Sequence, residues 1–300
     1  MNKLISRFFW ICIFLFAPFF NFLQASGPNQ WLEYMNAGEY RAASVEAERI
    51  YYYSDDRLLR SQAILARSWA LKQLGEYGQA LDNLRRASLR NLPDELEYLF
   101  HHERTLLHYL KGNWSDARNS LQQLNHFIDD PDRQLLSGYI DILSLIELQK
   151  WDKAQEATGK YFDQLEVPAS VDSVFYRAPP SLKNPDRAEL LSTFIPGAGQ
   201  IYAGSFGGGL GSAGLQVSSL AWGVYNVIHG YYFTALFTGG GLFQAFYFGG
   251  MEQAKSLAQN KNEARSQQYN AEISARLLNI IEPHLNKKRR TMSDSPFEID

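Results

Sequence analysis

The chain has 300 residues, 45% of them hydrophobic, and a formal net charge of −3. That balance excludes the phosphate-seeking surface of a strongly basic nucleic-acid-binding protein. A single cysteine, Cys12, excludes a disulfide framework and any cysteine-based zinc site.

Residues 1–25 read as a secretory signal peptide. Lys3 and Arg7 supply the positive start, Phe8 to Phe22 is an apolar, aromatic-rich segment broken by Pro18, and Ala25 or Ser26 offers a small residue for cleavage. Leu23 is a poor residue two positions before the cut, which leaves an uncleaved N-terminal anchor as the alternative.

Residues 26–165 carry an internal repeat. Gly38-Glu39-Tyr40, Gly75-Glu76-Tyr77, Gly112-Asn113-Trp114 and Gln149-Lys150-Trp151 recur at a constant spacing of 37. Three residues after each aromatic comes Ala43, Ala80, Ala117 or Ala154. The spacing predicts four helix-turn-helix units. A helix ends at the glycine, the aromatic packs into the turn, and the small alanine lets the second helix approach the first. Ala47, Leu84, Leu121 and Thr158 continue that helix one turn on.

This pattern resembles the tetratricopeptide repeat family, most closely at Gly75, Tyr77, Ala80, Leu81, Leu84 and Ala87. It departs from that family in its longer period (the family repeats at about 34 residues) and in Gln149 standing where a glycine is usual. The resemblance implies a helical solenoid whose concave surface binds a protein or peptide partner.

Residues 166–187 are a linker, interrupted by Pro168, Pro179, Pro180 and Pro185. Beyond it, residues 188–251 form an expected membrane domain: positions 190–251, 62 in all, contain no Asp, Glu, Lys or Arg. A helix rises about 1.5 Å per residue, so about 20 residues cross a bilayer core. Two spans fit, near residues 207–228 and 231–250, joined by His229-Gly230. Gly204/Gly208, Gly207/Gly211 and Gly239-Gly240-Gly241 would let helix backbones approach closely. Trp222, Tyr225, Tyr231, Tyr232, Phe246 and Tyr247 suit an interfacial belt.

Ahead of the spans, Pro196, Gly197, Gly199, Gln200, Tyr202 and Gly204 make up the most specific motif of the chain. It is similar to a group of small bacterial two-transmembrane domains with a Pro-Gly-x-Gly-Gln-x-Tyr-x-Gly signature. The resemblance covers about residues 188–255 and implies membrane residence without implying chemistry. Physically, Pro196-Gly197 should break a short helix begun near Asp186, with Gln200 and Tyr202 as polar partners for the freed backbone. A third crossing through 190–206 is an alternative that Pro196-Gly197 at its middle disfavours. Lys183, Arg187, Lys255, Lys261 and Arg265 flank the spans; by the positive-inside rule that bias puts the flanks in the cytoplasm, against the export signal.

Residues 252–285 read as an amphipathic helix with Tyr269, Ile273, Leu277 and Ile280/Ile281 on one face, packed on the repeats or lying on the bilayer. Residues 286–300 read as a disordered tail.

Chemical motifs are weak throughout. Gly209-Leu210-Gly211-Ser212-Ala213-Gly214 matches a dinucleotide fingerprint in letters but has no strand before it. His101, His102 and His108 with Glu97 and Glu103 would need a ligand from another helix to hold a metal. Asp129-Asp130-Pro131-Asp132 lacks the glycine and distal glutamate of a calcium loop. No catalytic, cofactor or metal site is expected. The expectation is an all-α protein: a tetratricopeptide-like helical-hairpin solenoid plus a transmembrane helical hairpin. It would be a non-enzymatic scaffold at a bacterial inner membrane, its repeats facing the periplasm and its bound partner a protein or peptide, not nucleic acid. The alternative is a subunit of a transport or protein-insertion assembly in which the two-span domain is the working part. The oligomeric state is not specified by the sequence.

Overall fold

The computed structural model describes residues 30–293, with side chains described as far as Lys288; the expected signal peptide lies outside the described residues. The described residues are all-helical, with no strand among them. They fall into two compact units, residues 30–177 with 270–293, and residues 178–269.

The first unit contains four helix pairs: α1 (Gln30–Asn36) and α2 (Tyr40–Tyr53), α3 (Arg57–Gln73) and α4 (Tyr77–Leu84), α5 (Asp94–Leu110) and α6 (Trp114–Phe127), α7 (Pro131–Glu147) and α8 (Trp151–Gln164). Each pair turns in the same way. Gly38, Gly75 and Gly112 have φ of +77°, +76° and +84°, and Gln149 stands in the same left-handed region at φ +57°. In each turn the next residue's N–H reaches back to the helix: Glu39 to Tyr34, Glu76 to Leu71, Asn113 to His108 and Lys150 to Leu145 carbonyls, at 2.8 to 2.9 Å. This satisfies carbonyls that a helix end leaves open. Tyr40, Tyr77, Trp114 and Trp151 are the first residues of the second helices, all partly buried, while Ala43, Ala80, Ala117 and Ala154 are each 0% exposed.

Consecutive units stack with the second helix of one against the first of the next, α2 on α3, α4 on α5 and α6 on α7, and the first helices also touch, α3 on α5 and α5 on α7. Leu65, Leu71, Phe100, Leu107, Ile140 and Leu143 are buried there, each side chain contributing about 1.5–3 kcal/mol relative to exposure. Polar pairs fix the register. Lys72 and Glu103, both buried, meet at 2.7 Å between α3 and α5, and His102 Nδ1 lies 2.7 Å from Ser137 Oγ between α5 and α7.

The stretch 166–175 is ordered rather than a plain linker. It contains a 3₁₀ turn at Val171–Ser173, with Val167, Val174 and Phe175 buried. The Asp129–Asp132 segment is a helix start: Asp130 accepts from the Asp132 and Arg133 N–H groups and Pro131 opens α7.

The second unit contains α9 (Pro185–Phe194), α10 (Ala198–Tyr202), α11 (Phe206–Ile228), the single turn α12 (Tyr232–Thr234), a π-turn over Ala235–Gly240, and the start of α13 (Gly241–Ser293). Here the sequence reading needs correction. The expected second span and the expected amphipathic helix are one continuous helix, because the polarity change at Glu252 brings no glycine or proline with it before Pro283. The expected tail from Asn286 is likewise helical to Ser293. Leu285 is 2% exposed and Lys288 pairs with Asp132 at 2.7 Å, so this end is tied down by burial and charge.

No helix among the described residues is long and apolar enough to cross a membrane. The cause in α11 is composition. Its 23 residues include six glycines together with Ser212, Gln216, Ser218, Ser219 and Asn226, which lower the average apolarity of a helix long enough to span.

Candidate functional site

The Pro196–Gly204 motif lies inside the second unit. Asn184 caps α9, its side chain accepting from the Arg187 N–H at 3.0 Å. The helix runs until Ile195, where the chain turns through Gly197 at φ +85°. A Cβ on Gly197 would stand 2.0 Å from the Gly209 carbonyl oxygen, so only glycine fits. Gly199 is as restricted: a Cβ there would meet the Ala188 carbonyl oxygen at 1.9 Å and the Ser192 hydroxyl at 2.4 Å.

That closeness puts Gln200 at the centre. It is 0% exposed. Its Nε2 donates to the Gly250 carbonyl at 2.8 Å, and its Oε1 accepts from Ser192 Oγ at 3.1 Å. Ser192 Oγ in turn accepts from the Gly199 N–H at 3.1 Å. One amide thus ties α9, α10 and α13 together. Tyr202 points the other way: its hydroxyl accepts from the Asn184 N–H at 3.2 Å. Gly204, at φ +85°, ends α10, and the Lys261 ammonium donates to its carbonyl at 2.6 Å.

The same inward polarity continues along α11. Ser212, Gln216, Ser219 and Asn226 are all buried. Gln216 Nε2 donates to Ser212 Oγ at 3.2 Å, and the Asn226 amide donates to the Trp222 carbonyl at 2.8 Å. Gly223 and Gly239 cross in contact; a Cβ on Gly239 would lie 2.4 Å from the Gly223 Cα. The outward side is the reverse. Leu210, Val217, Trp222, Val224, Ile228, Phe233 and Phe237 are between 50% and 82% exposed.

A groove of about 310 Å³ runs between α11 and α13, over Gly208, Gly211, Ser212, Leu215, Phe246 and Gly249, with no ionisable side chain in its lining. The dinucleotide-like glycines, residues 209–214, lie within α11, which suits helix contact and offers no strand-to-helix turn for a phosphate.

In the first unit the histidines of α5 are employed separately. His101 stacks on Phe127 with ring centres 5.3 Å apart, and burial lowers its pKa to about 4. His102 is engaged by Ser137, and Glu103 by Lys72. Among the described residues no group of His, Cys, Asp and Glu is placed to hold a metal ion. Burial also raises the pKa of Glu95, which faces Arg133, and of Glu147, which accepts from Asn270.

Sequence reading missed three parts of this arrangement. Gln216 carried a visible signal, as one of two amides in a charge-free helix. Ser192 and the Gly250 carbonyl carried none, because their role exists only through contact across the fold. The sequence allows the C-terminal segment two placements, on the repeats or on the bilayer; in the structure Ile273, Leu277 and Ile281 are 0% exposed, Asn270 accepts from the Trp151 indole at 2.8 Å, and Tyr176 donates to Glu272. That segment belongs to the repeat unit.

No family model matches the chain, and no curated protein and no solved structure is similar to it.

Proposed function

We propose that the protein is a membrane-anchored scaffold of a bacterial envelope, in which the second unit sits in the bilayer and the helical repeats hold a protein or peptide partner. The observation that carries this reading is the inverted polarity of the second unit. Ser192, Gln200, Ser212, Gln216, Ser219 and Asn226 are buried, while large apolar side chains such as Leu210, Val217, Ile228 and Phe237 face outward. In water that arrangement is costly over so contiguous a surface. In lipid it is favoured, since buried polar groups bond one another and apolar side chains meet acyl chains. Within α11 the buried Ser212, Gln216, Ser219 and Asn226 lie on the inward side, while Leu210, Val217, Leu220 and Val224 face outward together with Gly207, Gly211, Gly214 and Ser218.

The repeats support the partner half of the reading through their stacked pairs, the architecture that presents an extended binding surface in solenoids. The net charge of −3 gives no support to a nucleic-acid partner. The second reading, in which the bilayer unit is itself the working part of a larger assembly, has less behind it. The residues of its most specific motif are largely taken up by internal packing.

The side of the membrane is tested by reporters fused after Val167 and after Asp300 of the full chain in living bacteria. Periplasmic signals from both are expected. Two cytoplasmic signals would overturn the assigned side, and a split would require an odd number of crossings.

A further inference from the structure

We propose that Lys183, Arg187 and Lys261 form a binding site for the phosphate headgroup of an anionic phospholipid; this rests on the bilayer reading above. The three cations converge on one turn. Lys183 Nζ lies 4.9 Å and the Arg187 guanidinium carbon 5.6 Å from the centre of the Tyr202 ring. Lys261 Nζ is held at 2.6 Å by the carbonyl of Gly204, two residues further on.

Their neutralisation is incomplete. The nearby acids Asp186 and Glu189 are taken up by Lys255, at 3.3 Å and 2.8 Å. The contacts of the other three cations, among the described residues, are with a ring face and a backbone oxygen. A π-face and a carbonyl attract a cation without cancelling its charge, so all three keep their positive charge.

The scaffold beneath them is fixed. Asn262 clamps the backbone of Lys183, accepting from its N–H at 2.8 Å and donating to its carbonyl at 2.6 Å. Asn184 accepts from the Arg187 N–H and donates its own N–H to Tyr202. The charged ends are therefore presented from a rigid base, as phosphate recognition requires.

A lipid fits better than free phosphate because the chain around this turn is apolar and uncovered. Ile201 is 43% and Phe206 66% exposed, on either side of Tyr202 and Gly204 in the sequence. A zwitterionic headgroup carries its own cation and gains less from the cluster, so the ligand is an anionic phospholipid. The flanking Lys and Arg residues then mark a headgroup site and not a cytoplasmic loop.

The test uses the full chain and its K183Q/R187Q/K261Q variant with vesicles of phosphatidylcholine, or of phosphatidylcholine containing phosphatidylglycerol. Circular dichroism confirms equal helix content in the two proteins. The wild type should prefer the anionic vesicles, with roughly a fivefold loss of that preference per cation removed and about a hundredfold for all three. Equal binding of the wild type to both vesicles, or an undiminished preference in the variant, overturns the headgroup site and leaves the bilayer reading standing. Failure to bind either vesicle removes both. If millimolar inorganic phosphate abolishes the preference, the cluster takes free phosphate and the lipid assignment is wrong.

Discussion

The Gln200 side-chain amide donates to the Gly250 backbone carbonyl at 2.8 Å across fifty residues of chain, with neither residue exposed to solvent. A helix carbonyl already bonded along its own ladder gains a second donor here, supplied by the buried side chain of Gln200. Replacing Gln200 by Leu removes that donor and leaves the Ser192 hydroxyl without its acceptor. A loss of about 1–3 kcal/mol is expected, measured by thermal unfolding of the detergent-solubilised chain, whereas Gln200→Glu should cost more by burying a carboxylate.

The glycines of the second unit divide into two kinds, and substitution should separate them. Gly199→Ala drives a methyl into the Ala188 carbonyl and the Ala254 methyl and should prevent the unit from folding. A Cβ on Gly207 meets nothing within 4 Å, so Gly207→Ala should be neutral or stabilising, by up to about 1 kcal/mol from helix propensity. Protein level and melting temperature of the two variants decide the point.

In the repeats, Gln149 holds a left-handed conformation that its three counterparts assign to glycine. A side chain there costs about 1–2 kcal/mol. Gln149→Gly should raise stability by about 1 kcal/mol, and Gly75→Ala should lower it by a similar amount. Denaturant titration of the two variants in parallel gives both signs at once.

Ala80 and Ala117 are 0% exposed where paired helices touch. Enlarging either to Leu overpacks the contact and should cost about 1–3 kcal/mol, read as a lower midpoint for the repeat unit.

His101 is kept neutral by burial, its pKa lowered from the ordinary value of 6.5 to about 4. The unfolded chain therefore binds more protons than the folded one between those values, and stability falls as pH drops through that window. The slope from this group approaches about 1.4 kcal/mol per pH unit. His101→Phe should flatten the acid side of the stability profile; an unchanged profile would show that His101 is not its source.

Much of the first unit is legible in the sequence, because the physics that shapes it is local. A helix ending in a left-handed residue wants glycine, and a close helix crossing wants alanine, so both leave a periodic trace. Gln149 shows the limit, since tertiary packing imposes the geometry where the residue does not favour it. The second unit is less legible. Gly197 and Gly199 stand out, but what they touch, Gly209 and Ala188, is set by contacts between helices. The boundary placed at Glu252 failed for a definite reason: a change from apolar to charged residues changes a helix's surroundings and not its backbone. The burial of Leu285 and the Lys288–Asp132 pair likewise turned an expected tail into helix.

If the second unit sits in the bilayer, its outward apolar side is covered by lipid. That placement is tested most directly by fractionating bacteria that express the full chain and washing the membranes with alkaline carbonate, which strips peripheral proteins and leaves embedded ones. The protein should stay in the membrane pellet and be released only by detergent. Recovery of the folded protein in the carbonate supernatant would contradict it, and would assign the exposed face of Leu210, Val217, Trp222 and Phe237 to another protein surface.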